Sequence, residues 1–376
     1  MNMKLMKLKK AYFVIAILVF FISYMIDVNE YVAIENLDIP IGIGYDLING
    51  KTKNPLYSIP ISVYQFLPGN STLNTIVTTG KAEGIANTRE DRQTKSNRKF
   101  ILGTEKVVLI GQEVAEKSIE DIINILFNNT YANDTARVAI FKGKTMDALK
   151  TKVKGYNSSA DYIRGMIDSC IDYNFFSNNH KMIDVYTRVL GEGRSATLPY
   201  IELDNCEFKM TGMGILKGSK LRYIADRKEA KIINLLRENK VSGIINLRNK
   251  TGEMTNLTAL SMKKVKCKKE GDRYKFTIDL ELDSDMIENN SYKKVTNNPK
   301  ITKKIERETE EVVTKKTNNF IKKMQNEIKF DCLELGKVAA AKYGRRTNTD
   351  WDKVVCESEI KVNVKVKLER LGRGIL

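Results

Sequence analysis

The chain reads as a mixed α/β protein in two parts. An α/β region precedes an α+β region whose antiparallel-rich sheet is covered by long helices, and one apolar helix leads both. Three observations predict this. Short apolar runs alternate with helical periodicity up to about residue 205. Two later runs alternate strictly between apolar and polar residues. A charged segment between those two carries a single apolar stripe of helical period.

The leading helix is written in residues 1–26. Lys4, Lys7, Lys9 and Lys10 precede sixteen uncharged, mostly apolar residues, Ala11 to Ile26. Sixteen residues of helix span roughly 24 Å, close to the ~30 Å hydrocarbon core, and lysines at one end can snorkel. The flanking positive charge predicts a cytoplasmic N-terminus and an exported remainder. The exit, Ile22 to Ile26, is too bulky for signal-peptide cleavage, so a single-pass signal anchor is expected.

From residue 27 to 205 the expected strands are Ile39–Tyr45, Tyr57–Leu67, Thr75–Thr79, Lys106–Ile110 and Arg137–Phe141. Between them fall a polar helical stretch near Ala82–Ser96, an amphipathic helix over Gln112–Phe127 and a helix from Thr145. Residues 159–190 read as helical, broken by Gly191-Glu192-Gly193, with a linker around Leu203–Glu207. In the second region, 206–376, a hairpin over Lys209–Leu216 and Lys220–Ala225 leads to a helix over Arg227–Asn239. Tyr274 to Leu282 and Ile360 to Leu368 alternate as half-buried strands. A helix over Thr302–Phe330 and a second over Cys332–Arg346 separate them, and Ser284–Lys304 reads as an exposed crossing loop with the helix start.

A net charge of +17 on 376 residues favours anionic lipid or wall polymer as a surface partner. The expected export argues against nucleic acid. Five widely spaced cysteines, none in a C-x-x-C pair, predict free thiols rather than a zinc site or a disulfide framework. Catalytic equipment is missing. His180, the one histidine, sits in a stretch that reads as an exposed loop. Gly42-Ile43-Gly44 lacks the third glycine of a dinucleotide site and reads as a strand-end turn. Glu310-Glu311 lies on a solvated, lysine-flanked helix face, where nothing would raise a carboxylate pKa. No cofactor or metal is expected, and the chain does not read as an enzyme.

The order of segments resembles the C subunit of spore germinant receptors, the Ger(x)C family. Asp27–Glu30 and Ile41–Asp46 open the resemblance. Arg98–Ala115, Val138–Gly143, Leu198–Ile201, and Gly212–Leu221 with Glu229 continue it. Asp331–Gly336, Trp351 and Val362–Gly372 close it. Family members are typically lipoproteins with a cysteine two residues before the position of Asp27, and here that position is Met25. The usual lipid anchor is therefore not expected, and the uncleaved helix must anchor the chain alone. The resemblance implies a three-domain α/β ectodomain with an extended sheet near its C-terminus, two integral membrane partner subunits, a place at the spore inner membrane and no enzymatic activity. The competing reading is a signal-anchored binder of wall polymer, or an enzyme acting on an anionic envelope substrate.

The residues expected to matter for structure or interaction are Asp46, Gly111, Asp331, Gly336 and Trp351. Asp331 sits where an N-cap of the following helix belongs, and Trp351 is a core candidate. Lys361, Lys365 and Lys367 form the outward face of the last strand, and reversing their charge is expected to spare the fold.

Overall fold

The computed structural model describes residues 12–23, 32–48, 56–66, 73–248, 252–271, 273–292 and 298–371. Helix α1 covers residues 12–23, and every one of them is exposed. Among the described residues no helix is long and apolar enough to cross a membrane. The rest of the expected span, Met25 included, lies outside the described residues.

The first region runs β1 (Leu37–Ile48), β2 (Leu56–Phe66), β3 (Leu73–Ala82), α2 (Asn87–Gln93), β4 (Lys99–Phe100), β5 (Val107–Gly111), α3 (Gln112–Lys117) and α4 (Glu120–Phe127). It continues with β6 (Arg137–Phe141), α5 (Thr145–Lys150), α6 (Ser159–Ser169), α7 (Met182–Val189) and β7 (Ala196–Asp204). Then come β8 (Glu207–Lys217), β9 (Lys220–Asp226), α8 (Arg227–Arg237), β10 (Val241–Arg248), β11 (Met254–Glu270) and β12 (Arg273–Asn289). Helices α9 (Pro299–Lys323), α10 (Leu335–Tyr343) and α11 (Trp351–Cys356) precede the last strand, β13 (Glu359–Arg370).

One sheet has the order β3-β2-β1-β5-β6-β7-β8-β9, with β4 beside β1. Its centre, β1-β5-β6-β7, is parallel and its flanks are antiparallel. Helices cover both faces of that centre. Val114, Ile122 and Val185 pack on one side, and Leu149, Ala160 and Ile163 on the other. Double coverage explains why Val107–Gly111 and Arg137–Phe141 are buried at every position. Gly42 and Gly44 lie within β1 rather than in a turn at its end. A Cβ on Gly42 would stand 2.6 Å from the Ala160 Cβ, so the glycine lets α6 approach the strand.

The second sheet, β10-β11-β12-β13, is antiparallel except for its parallel β12–β13 pair. Leu280, Leu282, Val313 and Val366 fill the layer between this sheet and α9. Carboxylates of α9 seal the β13 edge: Glu310 accepts from the Val366 N–H at 3.0 Å and Glu306 from the Leu368 N–H at 2.9 Å. Glu310 is therefore tied to the sheet rather than left on a solvated face.

Four sequence-based boundaries shift, each for a local reason. The expected helix over Gln112–Phe127 is two helices, because Ser118 and Ile119 bond the β8–β9 turn at Ser219. The helical reading of residues 159–190 fails between Tyr173 and Lys181. There the Phe175 N–H donates to Ser242 O, and the Ile244 N–H to Tyr173 O, docking the segment on β10. The linker around Leu203–Glu207 is a hairpin turn, with Asn205 and Cys206 both at positive φ, and β8 and β9 stay in the sheet of β7. The long helix starts at Pro299, capped by Asn298, and ends in a π-turn over Met324–Ile328, while β12 reaches Asn289 inside the expected loop. Strands β10 and β11 lack a clear alternation in sequence and are found only in the fold.

Candidate functional site

The sequence-derived residues fall into three places. Asp46 lies near the end of β1 and is buried, with its carboxylate accepting from the Thr145 N–H at 2.8 Å and the Met146 N–H at 3.2 Å. It thereby caps α5 from across the sheet. Burial pushes the Asp46 carboxyl upward, and these bonds oppose the shift. A Cβ on Gly111 would stand 2.9 Å from Asp46 Oδ1, so the glycine makes room for the capping carboxylate.

Asp331, Gly336 and Trp351 meet at a second place. Asp331 Oδ1 accepts from the Leu333 N–H at 2.8 Å and Oδ2 from the Gly336 N–H at 2.7 Å. The helix expected over Cys332–Arg346 is α10, which starts later, and Glu334 at positive φ occupies its N-cap position. Asp331 therefore serves the helix from outside, through the loop, and is not its N-cap. Burial pushes its carboxyl up to about 7, against those two hydrogen bonds. Trp351 is 5% exposed, and its Nε1–H donates to Glu192 at 2.9 Å. Glu192 also accepts from the Arg346 N–H at 2.8 Å. Gly336 has Trp351 and Gly193 against it, and a Cβ on Gly193 would come within 2.4 Å of the Gly336 backbone. By sequence Gly191-Glu192-Gly193 reads only as a helix break. In the fold it is the strap that joins the first region to α10 and α11.

Beside this strap lies a cluster that no sequence motif announces. Arg237, at the end of α8, has a fully buried side chain and meets Glu334 at 3.0 Å and Glu238 at 3.1 Å. It also donates to Ser195 Oγ at 2.8 Å, to Cys332 O at 3.0 Å and to Ser195 O. Arg188 of α7 reaches Glu238 at 3.3 Å and Glu334 at 3.5 Å. Arg194 reaches Glu334 at 3.5 Å. Burial alone would raise Glu238, but Arg237 and Arg188 hold it below the usual carboxylate range. His180 belongs to this interior rather than to an exposed loop. It is 2% exposed, bonds Thr197 O through Nδ1 at 3.2 Å, and is held down to about 4 by burial. The segment ordered by β10 carries it inward, which local sequence does not reveal.

Lys361, Lys365 and Lys367 form the third place, all exposed on β13. Their strand lies beside an acidic row: Lys365 is in register with Glu281, and Lys367 with Asp283. Reversing Lys365 and Lys367 would set like charges beside Glu281 and Asp283. Neutralisation is the suitable change.

These arrangements define a structural scaffold in which the buried charges tie separate elements together. The model of the spore germination protein N-terminal domain matches residues 30–203, and that of the spore germination B3/GerAC-like C-terminal domain matches residues 211–372. The chain belongs to this Ger(x)C family of spore germination proteins. A curated relative, spore germination protein GerQC of Bacillus cereus, is 22% identical over 289 residues, covering 74% of this chain and 77% of the relative. The crystal structure of the GerBC protein has the same fold, with a TM-score of 0.57 at 14% identity over 87% of this chain and 97% of that one.

Proposed function

We propose that the chain is a membrane-anchored, non-enzymatic subunit of a nutrient germinant receptor, with its bulk outside the spore inner membrane. It acts there through contacts with two integral membrane subunits. The ordered match of both family domains across residues 30–203 and 211–372 carries this reading. The single-pass anchor is supported by the exposure of apolar side chains along α1, such as Phe13 at 68% and Phe20 at 70%. Mass spectrometry of the membrane-extracted protein should find residues 1–26 intact and unlipidated, because Met25 offers no thiol. A mature terminus near residue 25 or a diacylglyceryl mass would refute the anchor.

The basic face of β13 offers a test of contact. The triple change Lys361→Gln, Lys365→Gln and Lys367→Gln removes three exposed charges while Val362 and Val366 stay packed. Nutrient germination should slow while the protein level in spores holds. Unchanged germination would show that face to be merely solvated. Hydrolysis of a wall or lipid substrate by the purified chain would overturn the non-enzymatic reading.

A further inference from the structure

The two edges of the second sheet are finished differently. Helix α9 lies along the β13 edge, and its Glu306 and Glu310 accept from two of the edge N–H groups, those of Leu368 and Val366. The β10 edge is closed only in part, because Tyr173–Phe175 pairs with Ser242 and Ile244 and the ladder then stops. Ile244 turns its N–H to that edge, so by the two-residue alternation of a strand Asn246 does too. Among the described residues the Asn246 N–H has no backbone partner on that side.

Along this open edge runs a groove of about 830 Å³ between α8, β10 and α9. Its floor is apolar, with Ile232, Ile244 and Phe320 among the lining. Its rim is cationic. Arg227, Lys228, Lys231 and Lys316 all line it, and none of the four makes an ion pair among the described residues. The one lining carboxylate, Glu229, is already held by Lys323 at 2.5 Å and by the Tyr223 hydroxyl. Lys231 and Lys316 are held below the usual lysine range by burial, Lys231 also by Arg227 and Lys316, and Lys316 by Lys228. The cations thus repel one another around the groove, and an incoming anion would relieve that repulsion.

We propose that this groove docks an acidic, extended segment of a partner protein, which adds a strand to β10 and sets its carboxylates against Lys231, Lys316, Arg227 and Lys228. A free strand edge selects a polypeptide backbone, which a lipid cannot supply. Charge complementarity fixes the sign of the partner. The proposal rests on the protein-contact reading above and names the surface that would make the contact.

The full chain, purified in mild detergent, would be titrated with a short fluorescein-labelled peptide of alternating glutamate and valine and followed by anisotropy. Saturable binding is expected, weakening as salt screens the rim. Binding should fall about tenfold or more in Lys231→Glu/Lys316→Glu, through lost attraction and new repulsion. It should also fall in Asn246→Pro, which removes the edge donor and leaves the β10–β11 backbone ladder intact, losing besides only the exposed Asn246 Nδ2–Asn256 Oδ1 bond. Lys268→Gln, outside the groove, and a thermal melt of each variant serve as controls. The proposal is overturned if the peptide does not bind, if both groove variants bind it like the parent, or if a lysine–valine peptide binds equally well. Binding only to phosphatidylglycerol vesicles, abolished by the same variants, would assign the groove to lipid and overturn it too. This assay involves no spore, so its failure leaves the receptor reading standing. That reading fails separately if a strain lacking the gene responds normally to every nutrient.

Discussion

Replacing Arg237 with methionine should lower the stability of the purified chain by about 3–5 kcal/mol, read as a fall in the denaturation midpoint at constant slope. Methionine keeps most of the volume but removes every polar contact. Glu334 and Glu238 lose their closest cation, and the Ser195 and Cys332 carbonyls lose a donor. The acid limb should change in a defined direction. Glu238 is depressed in the fold, so its stabilisation is present above its unfolded pKa and fades as pH falls through the folded value. His180 acts in the same sense: its folded value near 4 lies below its unfolded 6.5, so stability rises with pH across that window. Asp331, raised to about 7, acts oppositely, its contribution falling as pH rises from about 4 to 7. With Arg237 gone, Glu238 should titrate higher and acid unfolding should begin at a higher pH. A loss under about 1 kcal/mol would mean the cluster is hydrated in solution and holds little. If Arg237→Met and Glu334→Gln act through one contact, their combined loss should be smaller than the sum of the two.

The parts of this fold legible in sequence are those where one element sets its own pattern. Tyr274 to Leu282 and Ile360 to Leu368 alternate because one sheet face is covered by α9 and the other is wet. Asp331, Gly336 and Trp351 stand in segments of family resemblance, and the fold brings all three to one strap. Features set by distant partners were not legible. His180 lies in a polar, loop-like stretch and becomes buried only because Phe175 docks on β10, far along the chain. Arg188 and Arg237 occupy ordinary helix positions and Glu238 follows the end of α8, and nothing within one helix marks a charge that another element will bury. Ser118 breaks a well-formed amphipathic pattern because Ser219, a hundred residues later, offers a better bond. Boundaries and buried charges are thus properties of the contacts, while periodicity is a property of the element.

Trp351→Ala should cost about 3–5 kcal/mol, the range for deleting a large buried aromatic side chain. The indole stacks edge-on to Tyr274 at 5.9 Å and donates to Glu192, while the Cβ that alanine would keep stands against Gly336. Two further variants separate packing from hydrogen bonding. Trp351→Phe keeps much of the ring but leaves Glu192 one donor short, so its cost should be nearer 1–2 kcal/mol. Gly336→Val leaves the indole untouched, yet its Cβ would meet the Trp351 Cβ at 2.8 Å with Gly193 close behind, in a place with no room to shift. It should be as damaging as Trp351→Ala. In spores, both severe variants should lose germination together with protein level, since a destabilised chain is cleared. The lysine-to-glutamine variant of β13 should slow germination at constant level. Should Trp351→Ala instead leave stability and protein level intact while abolishing germination, the strap would be a contact surface for a partner and not a structural clasp.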